Sequence, residues 1–169
     1  MAVRALDNST WGFPSSCFVC EPSNDRGLRI PFSHDEESGL VTASFRLGPE
    51  LSGAPRYVHG GVVLAILDEA MAWAAIAVAG RFAVVQHTAT TFERPVRVDE
   101  PYVVEASVQA SDERSVTARA EVRDGAGRPC AKAHARLSVI REAEAESALG
   151  PMGDDDRRYL RSGTEGERP

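Results

Sequence analysis

Little in this sequence points to a secreted, nucleic-acid-binding or membrane-spanning protein. Cysteine is scarce and odd in number, three in 169 residues, which argues against the paired framework of a small disulfide-stapled domain. Met1 to Ser16 lacks the apolar run of a secretory leader and holds a single basic residue, Arg4, so the cytoplasm is the expected compartment. Positive charge is not in excess. The chain has 19 Lys and Arg against 25 Asp and Glu, a net charge of −6, and a duplex or single strand needs a basic face. No nucleic-acid partner is therefore expected. The one long apolar run, Gly60 to Gly80, is nearly long enough to cross a bilayer. Asp68 and Glu69 near its middle would each cost about 2.5–3.5 kcal/mol there, and its flanks read as strands, so no membrane partner is expected either.

What the chain does contain is the composition of a globular domain, 43% hydrophobic and 26% charged, with enough residues for one sizeable core. Residues 1–26 read as an irregular segment. From Gly27 the pattern becomes extended, and Val41, Ala43, Phe45 and Leu47 alternate with polar residues at strand period. Pro49, Gly53 and Pro55 break the chain. A single long helix is predicted from Gly60 to about Ala79, stopping at Gly80. Its apolar residues run all round, which predicts burial on every side. Four strands follow: Ala83 to Phe92, Tyr102 to Ala110, Arg114 to Val122 and Pro129 to Ile140. The last three alternate cleanly between an apolar and a polar face, as antiparallel strands do with one side on a core. From Arg141 the chain turns acidic and then Arg-rich, and residues 142–169 read as a mobile tail with a short helix near Glu142 to Leu149. The simplest assembly is α+β: a curved antiparallel sheet around one helix, over residues 27–141.

The helix opens His59-Gly60-Gly61. Two glycines are costly at a helix start, and they make sense where a ligand must approach the backbone. A helix N-terminus presents free N–H groups and partial positive charge, a site for a developing oxyanion. Asp68 follows Gly61 by seven residues, nearly two turns, so both share one side of the helix about 10 Å apart. That separation is too long for one carbonyl to be held from both ends. If both act on one substrate, a second copy of the chain must supply one of them. A carboxylate inside an apolar helix calls for a partner or a function; the plainer account is an exposed notch or an arginine pair.

Other residues carry weaker signals. Cys17 and Cys20 have metal-ligand spacing, but a closed zinc site needs four ligands. The remaining candidates, Cys130 and His34, have no motif around them, so ordinary packing is expected and no metal. His87 lies on the strand after the helix, where a structural or surface role is the commoner one. His134 shares the polar face with Lys132 and Arg136. Trp73, Met71 and Ile76 read as core, and Trp11 and Phe13 as cover for an edge or a partner.

His59-Gly60-Gly61 with an acid nine residues after the histidine resembles the signature of hotdog-fold acyl-CoA thioesterases, of the phenylacetate-pathway and thioesterase-superfamily-member types. The stretch Gly53-Ala54-Pro55-Arg56-Tyr57-Val58 resembles the segment that precedes that motif, and Phe92-Glu93-Arg94-Pro95 the aromatic-x-Arg-Pro that ends the following strand. Cys17-Phe18-Val19-Cys20 with Asn24 and Gly27-Leu28 is similar to the opening of many bacterial members. The resemblance implies a homodimer or dimer of dimers in which the acid of one subunit faces the glycines of the other. It implies Asp68 as nucleophile or general base, the Gly60 N–H as the group that polarises the thioester carbonyl, and His59 and Gly61 as the shaped turn. It implies no cofactor, since CoA belongs to the substrate, and a basic path for CoA from among Arg56, Arg81, Arg94 and Arg97. The family places an Asn or Gln six residues before the histidine and a Ser or Thr ten residues before the proline. Here those positions are Gly53 and Val85, with Gln86, His87 and Thr88 close enough for a register change to bring one in. Hydrolysis of acyl-CoA or acyl-carrier thioesters is the leading expectation. A non-catalytic acyl-thioester binding protein is the alternative. A hotdog hydratase fits less well, because there the histidine follows the acid.

Overall fold

The computed structural model describes residues 3–8 and 15–151; Trp11, Phe13 and the tail from residue 152 lie outside them. Nine strands and two helices follow one another: β1 (Val3–Leu6), β2 (Phe32–Asp35), β3 (Leu40–Arg46), β4 (Ser52–Ala54), β5 (Tyr57–Val58), α1 (Gly60–Ala77), β6 (Ala83–Phe92), β7 (Pro101–Ser111), β8 (Ser115–Asp124), β9 (Pro129–Val139) and α2 (Glu142–Leu149). Seven strands form one sheet in the order β1-β2-β3-β7-β8-β9-β6, antiparallel at every pairing. α1 lies across it, touching β2, β3, β6, β7, β8 and β9. This is the hotdog fold, with the predicted central helix ending two residues early at Ala77.

Period-two alternation puts Val116, Ala118, Ala120 and Val122 of β8, and Ala131, Ala133, Ala135 and Leu137 of β9, in the core beneath the helix. Register sets Ala118 beside Ala135, and Ala120 beside Ala106 on one side and Ala133 on the other. Such small side chains leave room for the bulk of the helix, and Ile66, Leu67 and Met71 are wholly buried. The opposite face of the sheet is charged. Arg123 pairs with Glu105 and Glu121, and Lys132 with Glu93, while His134 and Arg136 are exposed as predicted.

Two expectations change. The N-terminal segment is not wholly irregular: Val3–Leu6 adds an edge strand to β2. It is too short to announce itself by alternation, and pairing rather than pattern defines it. The helix is not buried all round. Val63, Ile66, Leu67, Ala70, Met71 and Trp73 to Ile76 are buried, but Gly60, Gly61, Val62, Leu64, Ala65, Asp68, Glu69, Ala72 and Ala77 are not. Of these, Gly61, Leu64, Ala65, Asp68 and Ala72 fall at i, i+3, i+4, i+7 and i+11, one stripe. The chain covers this apolar stripe, with Asp68 in it, only in part.

β6 is the free edge on the helix side of that stripe. None of its ten residues is buried, and Val84 and Phe92 are more than half exposed. It carries no charge and no proline, the usual protections of an exposed edge.

Candidate active site

His59 caps α1. Its backbone is extended (φ −60°, ψ 133°) and its Nδ1 accepts a hydrogen bond from the Gly61 N–H at 2.9 Å. A side chain on Gly61 would meet that imidazole at 3.1 Å, and one on Gly53 would meet His59 at 3.0–3.1 Å. The turn therefore closes only over glycine-sized neighbours. His59 is also tied by its own N–H to the carbonyl of Leu51 at 2.9 Å, and its carbonyl accepts from Val62 and Val63. With the Gly61 N–H consumed by the cap, Gly60 is the glycine whose amide has no acceptor among the described residues. It is solvent-exposed and stands at the first helical position, where the macrodipole is positive. The ring of Phe92 lies 3.6 Å from where a Gly60 side chain would begin. In the sequence Phe92 stands out as the aromatic of the aromatic-x-Arg-Pro stretch; its place beside Gly60 depends on β6 folding back beside the helix start.

Asp68 is half-buried and carries no hydrogen bond or ion pair to any described residue, so the arginine-pair reading does not hold for the described chain. Burial alone pushes its carboxyl above the ordinary aspartate range. A carboxylate short of water and without a partner is a stronger base and hydrogen-bond acceptor than one in solvent. Glu69, next along the helix, turns the other way and meets Cys17 Sγ at 3.3 Å.

The positions of the two missing polar groups can now be seen. Gly53 does lie against His59, where a longer side chain would reach the glycine turn, and it offers no polar atom. On β6 the ladder to β9 slips between Val85 and His87. Gln86 is the extra residue of a β-bulge, and a bulge reverses which side chains face inward. Ala83 and Val85 occupy the half-buried face before it, Thr88 and Thr90 after it, while Gln86 and His87 are exposed. Both threonine hydroxyls are shielded from solvent with no partner among the described residues. A hydroxyl three residues beyond Val85 thus takes up the face that simple alternation assigns to His87.

Of the basic candidates, Arg94 is held to the carbonyl of Pro129 at 2.7 Å and lies near Glu93, and Arg97 stacks over Tyr57 at 5.9 Å. Arg56 is exposed. Two of the larger clefts, of about 340 and 320 Å³, lie at one end and on the outer face of the sheet, and neither is lined by Asp68, Gly60 or Gly61.

The model of the thioesterase superfamily matches residues 56–131. Among curated proteins none matches. Solved structures share the fold. A thioesterase superfamily protein aligns with TM-score 0.67 and 24% identity over 72% of this chain, which spans 59% of that protein's length. The E. coli PaaI protein of the phenylacetic acid degradation operon aligns with TM-score 0.61 and 21% identity, covering 67% of this chain and 80% of that one. A hypothetical thioesterase with coenzyme A from Streptococcus pneumoniae aligns with TM-score 0.57 and 15% identity, covering 60% of this chain and 79% of that one. The matched segment runs from the strand before the glycine turn through the central helix and into β9, so the chain is similar to the thioesterase superfamily over the part that carries the glycine turn and Asp68.

Proposed function

We propose that this protein hydrolyses acyl-CoA or acyl-carrier thioesters to free acid and thiol, in a site shared across a homodimer. The observation that carries the reading is Asp68: a half-buried carboxylate without a partner, set in an apolar stripe that the chain covers only in part. The thioester carbonyl points its oxygen at the free Gly60 N–H of one subunit, where the helix dipole favours the developing negative charge. Asp68 of the other subunit takes a proton from water as it attacks the carbonyl carbon, or attacks the carbon itself. The tetrahedral species collapses with loss of the thiolate, which takes up the proton held by Asp68; on the nucleophilic route the collapse leaves an acyl–aspartyl anhydride, which water then hydrolyses to the free acid and the carboxylate. The match to the thioesterase superfamily model and the coenzyme A named with one structural neighbour support CoA as the thiol. The partly open stripe and the uncharged ten-residue edge of β6 support a second copy as the missing wall, and further pairing would give a dimer of dimers. Three free thiols fit a reducing compartment, and the cytoplasm is the one proposed.

A second reading, acyl-thioester binding without turnover, is favoured by Gly53, which leaves the glycine turn without its polar neighbour. Free-thiol release from a panel of acyl-CoAs, aromatic and aliphatic, short and long, separates the two. Turnover that falls at least about a hundredfold in Asp68→Asn, with KM little changed, is the expected result. Turnover indifferent to the substitution overturns the mechanism. Tight binding with no thiol release from any acyl-CoA establishes the second reading.

A further inference from the structure

The Cys-Phe-Val-Cys turn plays no part in that chemistry, and the sequence offered Cys130 and His34 as further ligands, neither of which joins it. The fold supplies another. Glu69 of α1 meets both cysteines: the two sulfurs and a carboxylate oxygen all lie within 4.8 Å of one another. Cys17 Sγ stands 3.3 Å from Glu69 Oε1. Around a tetrahedral zinc, with Zn–S of about 2.3 Å and Zn–O of about 2.0 Å, sulfur and oxygen ligands stand about 3.5 Å apart. One edge of the cluster is already at ligand spacing, and a small contraction closes the rest.

The surroundings are those of a ligand set. The Val19 N–H donates to Cys17 Sγ at 3.4 Å, two residues along the same turn. Asn8, itself buried, donates from Nδ2 to Cys20 Sγ at 3.8 Å and to Glu21 Oε2 at 3.1 Å. Donors aimed at sulfur favour the thiolate, the form that binds metal. Glu69 is half-buried, and a carboxylate in an apolar helix is costly without a partner. Beside the cluster is a cavity of about 200 Å³ lined by Cys17, Glu69, Asn8, Ser15 and Trp73 among others, room enough for water. Trp73 is 2% exposed, and its indole N–H has no acceptor among the described residues.

We propose that Cys17, Cys20 and Glu69 bind a thiophilic divalent cation, zinc in the first place, with a water from this cavity as fourth ligand and the Trp73 indole as that water's donor. Two thiolates select such an ion. Bound there, it fastens the segment around Cys17 to the turn of α1 that carries Asp68, and it takes no part in the reaction. The site does not depend on the hydrolytic reading.

The test uses the full chain, reduced and freed of metal with a chelator, then titrated with cobalt(II) and competed with zinc. Expected are one cobalt per chain, sulfur-to-cobalt charge-transfer absorption, tetrahedral d–d bands, and displacement by one equivalent of zinc. Glu69→Gln keeps the charge-transfer band but weakens cobalt binding tenfold or more, Cys17→Ser together with Cys20→Ser abolishes the band, and Cys130→Ser leaves everything unchanged. Cys17→Ser alone, at the half-exposed ligand, halves the band and serves if the double variant does not fold. Cobalt bound without charge-transfer absorption, or bound equally well by Glu69→Gln and Cys17→Ser, overturns the proposal. So does failure of the reduced protein to take up either metal, including the case where Cys17 and Cys20 are isolated as a disulfide.

Discussion

At the scale of single residues, the helix start leaves one amide free for the proposed chemistry. His59 spends the Gly61 N–H on capping, so the donor assigned to the proposed reaction is the neighbouring Gly60 N–H. This permits a sharp test. Gly60 is the first helical residue, where proline is well tolerated, and the extended backbone of His59 already suits a residue before proline. Gly60→Pro therefore deletes the N–H and little else. Its turnover is expected to fall about 10²–10³-fold, the range for removing one oxyanion donor, with the thermal midpoint nearly unchanged. A large loss of stability, or retained turnover, would show that the donor lies elsewhere. Thr88 is the second residue to test. Its hydroxyl is shielded and unpartnered on the half-buried face of β6, so Thr88→Val keeps the shape and removes the polar atom. A loss of about tenfold or more in kcat without loss of stability is expected if it orients water or carbonyl, whereas equal kcat would leave it a packing residue. The sequence placed the two glycines and Asp68 on one helix, with His59 just before it, because helical periodicity is local. Counting along the strand gave Val85 at the hydroxyl position and left Gln86, His87 and Thr88 open, because the bulge that turns Thr88 rather than His87 inward is visible only against the partner strand.

At the scale of elements, the strands are joined by turns built on single aspartates. Asp112 Oδ1 accepts from the N–H groups of Arg114 and Ser115 at 2.7 and 2.8 Å. Asp124 accepts from the backbone of Ala126 and Arg128 and from the Arg128 guanidinium. These hydrogen bonds hold both carboxyls below the usual aspartate range. A group whose folded pKa is depressed contributes stability above its unfolded value, about 3.9, and loses it as pH falls through the folded value. The urea midpoint of the wild type should therefore drop between about pH 5 and pH 2. In Asp112→Asn with Asp124→Asn that drop should be smaller, because the amide keeps the turn and does not titrate. An equal drop in the two proteins would locate acid sensitivity elsewhere. The existence of these turns was legible as Ser-Asp and Asp-Gly punctuation. The early strand β1 was not, since four residues of weak alternation become a strand only through their pairing with β2.

At the scale of the whole molecule, the separation of Asp68 from Gly60 along one helix requires a second chain if both act on one carbonyl, and the partly open helix stripe and the β6 edge are the surfaces proposed for it. Co-expressed Asp68→Asn and Gly60→Pro chains provide the check. Each homodimer is inactive, but a mixed dimer carries one site with both groups intact, so about a quarter of wild-type turnover should return if chains pair at random. No recovery in a preparation shown to contain mixed dimers would place both groups in one chain's site. The sequence by itself determined the one long helix, the antiparallel strands with one core face, and the acid and glycines on a common helical side, because these follow from periods of two and 3.6 residues within short windows. Only the tertiary structure decided that the helix keeps one partly open stripe, that the bulge at Gln86 brings Thr88 inward, and that Glu69 meets Cys17 and Cys20 across half a hundred residues. Those outcomes depend on which surfaces the sheet can cover and on pairings between distant segments, and no local pattern encodes either.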